Sequence, residues 1–267
     1  MPLTILCVGD VVGRPGRYAL SQALPALTSQ YQLDCVIANV ENAAAGSGLT
    51  PALYDKFVKY GVHLMTLGDH VFRRREIMPV LEQSDNIVRP INLPDTAPGK
   101  LWAYYETNSG VRVAVIVVLG QLFINLSTNS PFAAIDKVLA KIPKDIKVIV
   151  VDVHAEATSE KIALGWHLDG RVSCVFGTHT HVPTADETIL PGGTAYITDL
   201  GMTGPYDSVL GRRKDRVVGT MRTGIPSAFE VATGDPRLCG IVVRVDPATG
   251  KALSIERIRV DSDMAPE

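Results

Sequence analysis

The stretch LTILCVGDVVGRPGRYALSQALPALTSQYQLDCVIANVEN, residues 3–42, decides the fold. Leu3 to Val8, apolar apart from Thr4, reads as a buried strand. Gly16 to Gln30 reads as the helix that follows, and Cys35 to Asn39 as a second apolar strand. Strands that are apolar throughout, rather than alternating, and that are joined by helices belong to a parallel sheet covered on both faces. The pattern continues outward: a helix from Pro51 to about Tyr60 with Thr50 as its N-cap, a third strand at Val62 to Leu67, and a third helix at Arg73 to Gln83.

The second half is richer in strands. Leu101 to Glu106 and Val111 to Leu119 form a hairpin around Asn108-Ser109-Gly110. A helix at Phe132 to Lys141 leads to strands at Lys147 to Val153 and Val172 to Phe176. Ala228 to Ala232, Cys239 to Val245 and Ala252 to Val260 read as antiparallel strands. No repeat, low-complexity tract or Pro/Ser-rich linker interrupts the chain, so the expectation is one α/β domain over residues 1–267, with two packed sheets and helices outside. Ser262 to Glu267 reads as a frayed tail.

Composition removes several function classes. Lys plus Arg number 26 against 28 for Asp plus Glu, so there is no basic excess for wrapping a long nucleic acid. Mean hydropathy is only +0.15, and the longest strongly apolar run, Val113 to Leu119, is far short of a membrane span. The N-terminus lacks a basic segment before its apolar run, which argues against a secretory signal. Cys7, Cys35, Cys174 and Cys239 form no CxxC pair and read as buried, reduced thiols of a cytoplasmic protein.

The polar residues with ligand chemistry fall at the C-terminal ends of the core strands. These are Gly9-Asp10, Asn39-Val40-Glu41-Asn42, Gly68-Asp69-His70, Asp152-Val153-His154 and Gly177-Thr178-His179-Thr180-His181. Strand ends of an open α/β sheet border one crevice where ligands bind. Each residue alone has an ordinary reading as a cap, a turn former or an interior imidazole. Together they offer seven donors: Asp10, Glu41, Asn42, Asp69, His154, His179 and His181. On an extended segment His179 and His181 would point to the same side and face one ion. Carboxylate, amide and imidazole without thiolate suit iron, manganese or zinc. Seven donors exceed one tetrahedral zinc, and two ions sharing a bridging carboxylate accommodate them. The glycines Gly9, Gly13 and Gly16 match neither a dinucleotide fingerprint nor a P-loop, and no serine has a nucleophile-elbow context. Arg14, Arg17 and the segment Thr203-Gly204-Pro205-Tyr206 are read either as phosphate or base contacts or as solvated charges and a turn.

The segments GDVVGRPGR (9–17), NVENAAAGSGLT (39–50), GDH (68–70), DVHAEATSEK (152–161), GTHTHVPTAD (177–186) and TDLGMTGPYDSVLG (198–211) resemble the YmdB-like family of calcineurin-type metallophosphoesterases. The resemblance implies a four-layer αββα sandwich of two mixed β-sheets flanked by helices, a dinuclear centre and hydrolysis of phosphodiesters, with 2′,3′-cyclic nucleotides as substrates. By that resemblance Asp10, Glu41 and His181 hold a first ion with Asn42 nearby. Glu41 bridges to a second ion held by Asp69, His154 and His179, and His70 lies beside the leaving group. Two divalent or trivalent ions, iron first and manganese or zinc as alternatives, activate a bridging hydroxide while His70 donates a proton. The family also implies a cytoplasmic homo-oligomer acting on a small molecule, without membrane attachment.

Two departures stand out. The family motif Gly-Asn-His is Gly68-Asp69-His70 here, which adds a negative charge that strengthens metal binding and makes a bridging water less acidic. Val71-Phe72-Arg73 replaces the usual Thr-Trp-Asp. Two other readings compete: a one-metal hydrolase of amides or esters, and a weakly catalytic or non-catalytic regulatory protein that binds nucleotide or metal.

Overall fold

In a computed structural model that describes residues 1–263, Leu3, Ile5 and Cys7 point to one side of the first strand, Leu6 and Val8 to the other, and both sides are buried. The strands in chain order are β1 (Leu3–Val8), β2 (Asp10–Val11), β3 (Cys35–Asn39), β4 (Leu64–Thr66), β5 (Ile87–Val88), β6 (Trp102–Glu106), β7 (Arg112–Leu119), β8 (Val148–His154), β9 (Cys174–Thr178), β10 (Thr188–Ile189), β11 (Ala195–Ile197), β12 (Met202–Pro205), β13 (Pro236–Val245) and β14 (Ala252–Asp261). The helices are α1 (Gly13–Tyr31), α2 (Pro51–Tyr60), α3 (Met78–Gln83), α4 (Pro131–Leu139), α5 (Thr158–Leu168) and α6 (Lys214–Thr223). One sheet runs β2-β12-β13-β1-β3-β4-β5 with β14 on the other edge of β13, and the second runs β10-β11-β9-β8-β7-β6. Both sheets are mixed. In the first, β13 runs antiparallel to β1, β12 and β14 while β1, β3, β4 and β5 are parallel. In the second, a parallel centre, β11-β9-β8-β7, is flanked by antiparallel β10 and β6.

Three apolar layers define the expected αββα sandwich. Ile5, Cys7, Ile37 and Leu64 of the first sheet meet Val115, Val117, Val150 and Phe176 of the second. Leu20, Leu24 and Leu27 of α1 and Phe57 of α2 cover the outer face of the first sheet, against Leu6, Val36 and Ala38. Ile135 and Val138 of α4 and Leu164 and Leu168 of α5 cover the outer face of the second, against Ile116, Val118, Val151 and Val175. Strands buried on both faces are why the sequence reads as continuous apolar runs rather than as an alternation.

The expected elements are reproduced with some corrections. Thr50 caps α2, its hydroxyl accepting from Leu53 N at 3.3 Å. Arg73 to Gln83 is not one helix: a 3-10 turn at Arg75–Ile77 precedes α3, whose first turn accommodates Pro79 because the missing N–H has no partner there. Ala228 to Ala232 is not a strand. Only Val231 makes a bridge, to Arg212, because both edges of β13 are already paired, with β14 on one side and β1 and β12 on the other. Ser262 is not frayed, since its N–H donates to Pro236 O at 2.9 Å; residues 264–267 of the expected tail lie outside the described residues. All four cysteines are buried free thiols, and no described helix is long and apolar enough to cross a membrane.

Candidate metal centre

The layer between the sheets changes character at the C-terminal strand ends. Successive same-side residues lie two apart in a strand, so the face that carries Cys35 and Ile37 next presents Asn39, and Leu64 is followed by Thr66. On the facing sheet Val148 and Val150 are followed by Asp152 and His154, and Cys174 and Phe176 by Thr178. These polar residues are fully buried and bonded to one another. The Asp152 carboxylate accepts from Thr66 Oγ1 (2.6 Å) and Asn39 Nδ2 (3.1 Å) at Oδ2, and from Thr178 Oγ1 (2.6 Å) at Oδ1. Asn39 Oδ1 accepts from Glu41 N at 3.2 Å, which ties the network to the next loop.

Just beyond it, Glu41, Asp69, His154 and His179 each offer one ligand atom, all within 4.8 Å of one another, an arrangement that could hold a metal ion. His154 Nε2 lies 3.2 Å from Glu41 Oε1, 3.0 Å from Asp69 Oδ1 and 3.0 Å from His179 Nδ1. Gly68 makes this approach possible, because a Cβ there would sit 2.2 Å from His154 Nε2. Burial opposes a charge on His154, but Glu41 and Asp69 outweigh it and raise the imidazole well above its usual range. Burial likewise pushes the Asp69 carboxyl up, and hydrogen bonds with His154 and His179 overcome that and hold it well below the usual carboxylate range.

Asp10, Asn42, His70 and His181 adjoin this group. Asn42 Nδ2 lies 3.4 Å from Glu41 Oε1 and 3.2 Å from His181 Nε2, and Asn42 Oδ1 lies 2.8 Å from His70 Nδ1. Asp10 Oδ2 accepts from His179 N at 3.1 Å, whereas Asp10 Oδ1 is buried without a hydrogen-bond partner and stands 3.9 Å from His181 Nε2. Burial pushes the Asp10 carboxyl above its usual value. Donors about 2.1 Å from one ion sit roughly 3–4 Å from each other. The orphaned oxygen and its spacing from His181 therefore fit a cation between them better than a hydrogen bond.

The seven expected donors thus gather in one place, although His179 and His181 do not lie on an extended segment facing one ion. Both have left-handed backbones, with φ of 93° and 67°, so that His179 joins Glu41, Asp69 and His154 while His181 turns to Asp10 and Asn42. Such conformations cost of order 1–3 kcal/mol each and persist where the surroundings over-determine them. Thr180 supplies part of that restraint: its N–H and hydroxyl both donate to Asp199 Oδ2, which also accepts from Lys161 Nζ at 2.6 Å in a buried ion pair. Sequence reasoning singled out neither Lys161 nor Asp199. A lysine in a helix of weak amphipathic character gives no sign that it is buried. The proposed ligand contacts at Thr203 to Tyr206 are corrected as well. Thr203, Gly204 and Pro205 are buried in β12, and the Tyr206 hydroxyl donates to Met202 O. Arg17 donates to Ala43 O and so braces the loop after Glu41.

Two β-sheets face to face with carboxylates, an amide and imidazoles at their shared strand ends define a metal-binding α/β protein. The chain belongs to the YmdB-like family, whose model, described as YmdB-like protein, matches residues 6–258. A Bacillus subtilis (strain 168) protein named 2′,3′-cyclic-nucleotide 2′-phosphodiesterase is 45% identical over 261 residues, covering 98% of both chains. A Mycoplasma pneumoniae putative phosphatase/phosphodiesterase is 35% identical, over 98% of this chain and 94% of its own. Among solved structures, a novel phosphatase from Mycoplasma pneumoniae superposes with a TM-score of 0.92 at 35% identity, covering 98% of this chain and 95% of that one. A hypothetical protein from Thermus thermophilus gives 0.91 at 39% identity, covering 98% and 100%.

Proposed function

We propose that this chain hydrolyses phosphodiesters at a two-ion centre, with 2′,3′-cyclic nucleotides as its substrates. The observation that carries the reading is the position of Glu41 between two donor groups. Its Oε1 lies 3.2 Å from His154 Nε2 and 3.4 Å from the Asn42 amide that contacts His181, while Oε2 accepts from His70 N at 2.9 Å. Asp69, His154 and His179 with Glu41 would hold one ion, and Asp10 and His181 with Glu41 the other, with Asn42 beside it. When bound, the ions neutralise charge on the phosphorus oxygens and make water more acidic. Iron, with manganese or zinc as alternatives, a cytoplasmic location and a homo-oligomer belong to the same reading; the buried free thiols support a reducing compartment.

The protein's own part in bond cleavage falls to His70. Its Nδ1 faces Asn42 Oδ1, an acceptor, so Nδ1 carries a proton and Nε2 is the atom available to substrate. With the ring protonated at both nitrogens, His70 would pass its Nε2 proton to the ribose oxygen whose bond to phosphorus breaks as water adds, and the proton that the water sheds balances the step. Elemental analysis of purified protein, with assays on 2′,3′- and 3′,5′-cyclic nucleotides, tests the proposal. We expect His70→Ala to lose about 10²–10⁴ in rate with metal content unchanged, and Glu41→Gln to lose metal and activity together. Full activity after exhaustive chelation, or an empty His70→Ala site, overturns it.

A further inference from the structure

The outer nitrogens of the three candidate ligand imidazoles meet three different acceptors. His181 Nδ1 lies 3.1 Å from Leu210 O, and His179 Nε2 lies 3.3 Å from the half-exposed Glu156 carboxylate. His154, fully buried, has neither a carbonyl nor a carboxylate on its Nδ1 but the hydroxyl of Thr178, at 2.8 Å, with the Asn39 amide nitrogen farther off at 3.4 Å. A hydroxyl can donate or accept, so this contact alone leaves the His154 tautomer open.

Asp152 removes the ambiguity. Its carboxylate only accepts, and Oδ1 lies 2.6 Å from Thr178 Oγ1, so the single hydroxyl proton of Thr178 points at Asp152. Thr178 Oγ1 then accepts, and His154 Nδ1 at 2.8 Å is a much nearer donor than Asn39 Nδ2 at 3.5 Å, which assigns the proton to Nδ1. The Nε2 side faces Glu41, Asp69 and His179, where a metal ion would take the place of a proton. The remaining acceptor capacity of Asp152 is taken up by Thr66 and Asn39, which hold the carboxylate against rotation from a different sheet.

We propose that Asp152, acting through Thr178, is a positioning residue that fixes His154 as the Nδ1–H tautomer and so presents Nε2 to a metal ion. The role rests on the metal-centre reading of the proposed function, and Asp152 itself touches neither ion nor substrate. Partners of this kind are typically worth about 10–100-fold in metal affinity.

The test uses the full-length protein stripped of metal and titrated with zinc at pH 8. Long-range proton–nitrogen NMR correlations of the zinc-loaded parent are expected to show His154 protonated at Nδ1 and metal-shifted at Nε2. Thr178→Ser, which keeps the hydroxyl, should retain both the spectrum and the affinity. Thr178→Val, similar in volume but without an acceptor, should bind zinc roughly 10–100-fold more weakly. An unprotonated His154 Nδ1 in the loaded parent overturns the proposal, and that spectrum decides the matter even if the valine variant does not fold. Valine and serine variants that bind alike also overturn it. Those outcomes leave the metal centre standing, whereas a parent that takes up no zinc removes the centre and this role with it.

Discussion

At the scale of single residues, Asp69 is the most informative departure from the family pattern. Its carboxylate touches His154 and His179 and lies 3.7 Å from His70 Nε2, and its partners keep it ionised far below neutrality. A fixed charge there favours cation binding and disfavours loss of a proton from nearby water. Asp69→Asn should therefore weaken metal binding and move the alkaline-rising limb of the pH–rate profile to lower pH, by on the order of one unit. Profiles measured on parent and variant at saturating metal check this, and superimposable curves would remove the electrostatic argument. The identity of Asp69 as a donor was legible from the sequence. Its contact with His70 was not, because adjacent residues in a chain need not have adjacent side chains.

At the scale of elements, the site depends on how closely strand ends approach one another. Gly68, two residues beyond β4, passes so close to His154 at the end of β8 that a Cβ there would lie 2.2 Å from its Nε2. A methyl group there must displace the imidazole from Glu41 and Asp69. Gly68→Ala should retain the fold, since the position lies outside the regular strand, yet lose most of its metal affinity. Circular dichroism with a metal titration separates the two effects, and parent-like binding by the alanine variant would count against so close an approach of Gly68 to His154. Strand positions such as Leu3–Val8 and Cys35–Asn39 were readable because continuous apolar runs survive in any context. The helices α5 and α6 and the short strands β10 to β12 were not, since two to four residues carry no usable periodicity and α5 mixes apolar and polar residues on several faces.

At the scale of the whole molecule, Lys161 connects the outer helical layer to the site. It leaves α5, which covers the second sheet, and meets Asp199 after β11, and that carboxylate also holds Thr180 between the two left-handed histidines. Removing one member of a buried pair strands the other in a medium that solvates it poorly. Lys161→Met should cost about 3–5 kcal/mol in urea unfolding and lower metal affinity by loosening His179 and His181; a stability change below about 1 kcal/mol would mean that the pair is dispensable. By itself the sequence determined the layered α/β architecture and the seven candidate donors, because apolar periodicity and residue chemistry are local properties of a chain. Only the tertiary structure decided how those donors divide into groups, why two histidines adopt left-handed backbones, and which buried side chains orient them. Those outcomes depend on distances between segments more than a hundred residues apart, as with Asn39 and Asp152, and no local pattern encodes such distances.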